Sequence, residues 1–88
     1  MIGGFKILKV IHGIFYLKSG VKIEEAIPFE DTQEEEIAEI TSNINILLER
    51  FKKAKRDKMF GIIRFNYTTV DVNELAALKF YEEEVVDK

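Results

Sequence analysis

The sequence predicts a small α+β domain: an antiparallel sheet of three to four strands packed by one long amphipathic helix and a C-terminal helix, in the order β-β-β-α-β-α. Three observations lead to it. The first third is rich in apolar, β-branched runs, the middle third repeats apolar residues at spacings of three and four, and strand character returns after Met59. At 88 residues the chain holds one core, so residues 1–88 are read as a single domain.

Phe5 to Ile11 reads as the first strand, His12-Gly13 as a turn or kink, and Ile14-Phe15-Tyr16-Leu17 as the second strand. Lys18-Ser19-Gly20 is a tight turn. Beyond it Val21, Ile23, Ile27 and Phe29 alternate with Lys22, Glu24, Ala26 and Pro28, the period of two that marks a strand with one buried face. Glu25 is the misfit on that face. Pro28 cannot donate to a ladder, which places it at a strand end or a sheet edge.

Thr32-Gln33-Glu34-Glu35 fits a capping box and opens a helix running to about Asp57. Ile37, Ile40, Ile44, Leu47, Leu48 and Phe51, continued by Ala54, fall on one helical face. Glu34–Glu36 in the first turns and Lys52, Lys53, Lys55 and Arg56 in the last complement the helix dipole. Thr41-Ser42-Asn43 and Asn45 are weaker helix formers, so a kink or fraying is expected near the middle. Met59 to Val70 reads as a strand with Gly61, Ile63, Phe65 and Tyr67 on one face. Asp71 with Glu74 suggests a second cap, and Leu75, Leu78, Tyr81 and Val85 follow at helical spacing. A competing reading makes Lys79 to Val86 a strand. The expected core is Ile7, Phe15, Leu17, Ile23, Ile27, Ile40, Ile44, Leu47, Phe51, Ile63, Phe65, Leu75 and Leu78.

Composition narrows function mostly by exclusion. With no cysteine there is no disulfide framework, thiolate zinc site or cysteine nucleophile. Lys6 and Lys9 interrupt the apolar run where a signal peptide would need one, and no stretch reaches a membrane-spanning length. A cytoplasmic protein without membrane contact is the expectation. The net charge of −3 argues against general nucleic-acid binding.

The charge is segregated. Residues 24–39 hold eight acidic side chains and no basic one, whereas residues 50–58 hold six basic ones against Asp57 alone. The acidic segment lacks the spacing of a calcium loop, and both runs have a ready explanation at the two ends of one helix. They leave two alternative functions, a regulatory domain binding a small ligand or cation through 24–39 and a nucleic-acid accessory protein using 50–58.

No catalytic, cofactor or metal constellation stands out. His12 is the only histidine and has no visible partner; Ser19 lacks a nucleophile elbow; the glycines form neither a P-loop nor a dinucleotide fingerprint. Asn66-Tyr67-Thr68 matches a glycosylation sequon with no secretion signal to make use of it. The chain is therefore expected to be non-enzymatic and without a cofactor. Adjacent apolar residues in Ile7-Leu8, Val10-Ile11 and Ile14–Leu17 place hydrophobes on both faces of the N-terminal strands, where a one-sided strand would alternate. The expected function is a small protein-interaction module that self-associates, most simply as a homodimer, with Ile14, Tyr16 and the outward-facing Ile46 as candidate contacts. The self-contained alternative is a sheet with one helix on each side.

Overall fold

In a computed structural model, which describes residues 6–87, the elements run β1 (Lys6–Leu17), β2 (Lys22–Glu30), α1 (Glu34–Asp57), β3 (Ile62–Phe65), β4 (Thr68–Asp71), a 3-10 turn (Val72–Glu74) and β5 (Leu75–Asp87). Phe5, the expected start of the first strand, lies outside the described residues. The α+β class, the antiparallel sheet and the single long helix are as the sequence predicts. Strands β2-β1-β5 form one antiparallel sheet in that order, and β3 and β4 form a separate hairpin.

The expected break at His12-Gly13 is absent, and two predicted strands are one. Gly13 is held between two ladders, opposite Glu25 on β2 and Phe80 on β5, so pairing on both sides overrides its local preference for a turn. The turn after β1 is where it was expected. Gly20 takes φ +95°, a backbone region open to glycine, and its N–H donates to Leu17 at 2.9 Å. Pro28 lies on β2, an edge strand.

Helix α1 runs unbroken from Glu34 to Asp57, about 36 Å at 1.5 Å per residue. No fraying occurs at its polar middle, where the Thr41 hydroxyl donates to the Ile37 carbonyl at 2.8 Å. The capping box does not form. Gln33 occupies the cap position, and its side-chain oxygen accepts from the Glu30 N–H at 2.8 Å, closing the β2–α1 turn. At the other end Lys58 turns left-handed, φ 54° and ψ 41°, and the Met59 N–H donates to the Ala54 carbonyl.

The C-terminal helix is a further correction. Asp71 does cap, accepting from the Asn73 N–H at 2.8 Å, but only one 3-10 turn follows before β5 takes the open edge of β1. The irregularity opposite Tyr16/Leu17 explains the misreading. Leu75 pairs with Leu17 and Ala77 with Tyr16, so Ala76 is an extra residue. Leu75 and Leu78 therefore share the inner face at a spacing of three, which imitates a helix. Likewise, Met59 to Val70 is not one strand, because Asn66-Tyr67 makes the turn of the β3–β4 hairpin, with Asn66 at φ 56°.

Helix and hairpin both pack on the same face of the sheet, formed by the odd-numbered residues of β1 and β2. Phe15, Ile63, Val72 and Leu75 are fully buried there, with Ile11, Ile44, Ala54, Phe65 and Val70 around them. Leu17, Ile23, Ile27, Ile40, Leu47, Phe51 and Leu78 pack against this core while half-buried. Ile7 is not a core residue. It sits at the end of the sheet opposite Val86, beyond the last β1–β2 pair, and is 40 % exposed. Tyr67, expected on one face with Gly61, Ile63 and Phe65, stands at the hairpin tip and is 91 % exposed. Among the described residues no helix is long and apolar enough to cross a membrane.

Candidate interaction surface

Side chains alternate across a strand, so the residues of β1 that do not meet helix or hairpin point the other way. Five rows cross this outer face, centred on Leu8, Val10, His12, Ile14 and Tyr16. In order, their β2 neighbours are Glu30, Pro28, Ala26, Glu24 and Lys22, and their β5 neighbours Val85, Glu83, Tyr81, Lys79 and Ala77. None of these side chains belongs to the core cluster or packs against it. The structure thus has two layers over the inner face, and among the described residues no element lies over the outer one.

The centre of the face is ordered by local contacts. His12 stacks on Tyr81 with ring centroids 4.4 Å apart and planes 6° from parallel, and its Nε2 lies 3.3 Å from Glu83 Oε1. Lys79 sits over the Tyr81 ring, 5.7 Å from its centroid. Lys22 pairs with Glu24 at 3.0 Å, and that carboxylate raises the pKa of the lysine. Ile14 is buried, 7 % exposed, although it does not join the main core cluster. It forms the floor of the face, and Tyr81 and Val85 stay more open.

Ile14 and Tyr16 are therefore brought together, one row apart. Ile46 is not with them. It lies on the solvent side of α1, across the molecule, and is 53 % exposed. Tyr81 and Val85 were missed as candidates because they were assigned to a helix. Their alternation with Phe80 and Glu82 across β5 is the signal that would have found them.

The inner face carries one polar device. Glu25, the misfit on β2, accepts from the Asn66 side-chain amide at 2.6 Å and the Thr68 hydroxyl at 2.5 Å, tying the sheet to the hairpin. The Thr68 hydroxyl above all, then the Asn66 amide and the Tyr67 backbone, hold its carboxyl below the usual pKa. Phe65 of the hairpin lies against Gly13, where an added Cβ would stand 2.9 Å from two Phe65 ring carbons and from one of Phe80. Phe65 and Phe80 themselves meet edge to face at 4.9 Å.

The charged segments are dispersed by the fold. Glu24 faces outward, Glu25 is the tie just described, and Glu34–Glu36 occupy the first turn of α1. Among the described residues no three His, Asp or Glu side chains converge as metal ligands would. At the basic end, Arg50, Lys52, Lys53 and Arg56 line an open hollow of about 520 Å³ together with Glu49, Ala54 and Met59. Three of the cations at this end have partners of their own: Arg56 binds Asp57 at 3.1 Å, Lys52 lies 4.0 Å from Glu49, and Lys55 lies 5.5 Å from the centroid of the Phe51 ring.

Comparison with family models, curated proteins and solved structures gave no match to this chain.

Proposed function

We propose that this chain is a non-enzymatic protein-interaction module that self-associates, and that its contact surface is the outer face of the β2-β1-β5 sheet. One observation supports the reading: apolar side chains on all three strands face outward with no element of the described chain over them. Sheets with one face in water normally put polar residues there. Here Leu8, Val10, Ile14 and Tyr16 run down the central strand, and Tyr81 and Val85 stay open beside them. The self-contained alternative required a second helix, and that segment is strand β5. A cytoplasmic, cysteine-free setting suits a surface of this kind.

Sedimentation velocity across a micromolar concentration series is the direct test. Self-association is expected in the native chain and is expected to weaken in Val85→Glu, whose side chain points to solvent and leaves the core untouched. A native chain that stays monomeric at every concentration refutes the reading.

A further inference from the structure

We propose that the outward side of the β3–β4 hairpin, with the basic end of α1 beside it, binds single-stranded nucleic acid. Exposed rings stack on the bases, and cations hold the phosphates. The hairpin covers the inner face of the sheet, so its outward side looks away from the surface assigned to self-association, and the inference goes beyond that reading without depending on it.

The hairpin buries alternate residues. Ile63, Phe65, Thr68 and Val70 turn inward, which leaves Ile62, Arg64, Thr69 and Asp71 facing solvent. The Val72 N–H donates to the Gly61 carbonyl at 2.9 Å, carrying the ladder one step further and placing Phe60 on the outward row with Ile62 and Arg64. Phe60 is 90 % exposed, and Tyr67 at the tip is as open. Rings this exposed add no burial to the fold.

The cations are not explained by the helix alone. Its dipole accounts for Lys55 and Arg56 in the last turn, but that effect fades beyond the last turn. Arg50 and Lys53 stand earlier in α1, line the hollow of about 520 Å³, and make no ion pair or hydrogen bond among the described residues. Arg64 on the hairpin is likewise unpaired among them. Met59 joins the two parts: it lines the hollow, its N–H bonds the Ala54 carbonyl, and Phe60 follows it. The net charge of −3 is a sum over the chain, whereas residues 50–58 hold six basic side chains against Asp57 alone.

The order of residues favours a single strand over other polyanions. A duplex keeps its base faces stacked inside, out of reach of Phe60 and Tyr67. An anionic membrane takes a continuous apolar patch, but Arg64 separates Ile62 from Tyr67 and Asp71 stands opposite Ile62. Rings interleaved with cations along an extended strip meet both the bases and the phosphates of an open strand.

Fluorescence anisotropy with labelled dT and rU strands of about 12 nucleotides, at about 20 mM salt, tests this. Binding to either strand is expected, and with Arg50, Lys53 and Arg64 as the phosphate contacts it should fall about 100-fold for a tenfold rise in salt. Phe60→Ala and Tyr67→Ala, both at open positions outside the core, are each expected to weaken binding about tenfold. The double variant Arg50→Ala/Lys53→Ala is expected to lower the logarithmic salt slope by about 1.4. No binding to either strand at low salt overturns the proposal, as does binding that both ring variants leave intact, or binding no tighter than to a duplex of equal length. Binding to phosphatidylserine–phosphatidylcholine vesicles in place of the oligonucleotides assigns the surface to a membrane and overturns it too. None of these results bears on the sedimentation test, so self-association stands or falls separately.

Discussion

Gly13→Ala isolates the contact on which the hairpin closes over the sheet. Gly13 does not have a positive φ, so alanine meets no backbone strain and the whole cost lies in packing. The new methyl would stand 2.9 Å from Phe65 Cδ2 and Cε2 and from Phe80 Cε1, where carbon atoms prefer about 3.5–4.0 Å. The rings belong to different elements, β3 and β5, and a shift away from one does not free the other. The hairpin is also tied at its tip by Glu25. Overpacking of this kind costs about 1–3 kcal/mol, offset by about 0.5–1 kcal/mol because alanine loses less freedom on folding than glycine. The net expectation is a loss of about 1–2 kcal/mol, or a fall in Tm of roughly 5–15 °C for a domain of this size. Urea and thermal unfolding measure it. The penalty should shrink in a Phe65→Leu background, whose smaller side chain admits the methyl, so that the two substitutions are coupled. An alanine variant as stable as the native chain, or a penalty unchanged by Phe65→Leu, refutes the close-packed glycine.

Two further predictions concern stability. Glu25→Gln keeps the shape but loses the charge that Asn66 and Thr68 donate to, and is expected to cost about 1–2 kcal/mol in urea unfolding after allowance for partial exposure. The same tie fixes the pH dependence. Because the folded carboxyl titrates below its ordinary value of 4.5, the unfolded chain takes up a proton first as the pH falls. Its stabilisation is complete above that ordinary value and is lost as the pH drops through the lower folded one, so native and Gln variants should converge in stability in acid; parallel curves would count against the tie. Lys58→Gly replaces a left-handed residue with the one that adopts that conformation freely, and should raise stability by about 0.5 kcal/mol, seen as a higher urea midpoint with no change in slope.

How much of this was legible depends on how local each signal is. The β2 alternation and the α1 stripe are set by neighbours within a few residues, and both elements lie where the pattern puts them. The β5 strand was hidden by one bulged residue, Ala76, which gave Leu75 and Leu78 a helical spacing on an extended chain. Gly13 looked like punctuation because the rings that need its missing side chain lie far along the sequence. Glu25 was visible as a misfit, but its donors are 41 and 43 residues away and pattern alone does not connect them. On the surface, parity within β1 put Ile14 and Tyr16 on one face, whereas Tyr81 and Val85 became visible only once β5 was a strand.

The apolar outer face has two components with different causes. A central strand is flanked on both sides, and its outward residues can be screened laterally without a covering layer. Ile14, 7 % exposed without joining the main core cluster, is already buried in the single chain and needs no partner to explain it. The same account fails for β5, which is an edge strand with one neighbour, yet Tyr81 and Val85 remain 41 % and 37 % exposed on it. Threonine or lysine there would keep the ladder and favour water. The edge itself is protected differently: Glu82, Glu83 and Glu84 are consecutive on β5, and like charges along an edge discourage a second strand from adding to it. Charge along the edge and open apolar side chains on the face favour contact through the face over addition of a strand, which is the mode proposed above and the one that Val85→Glu tests by sedimentation.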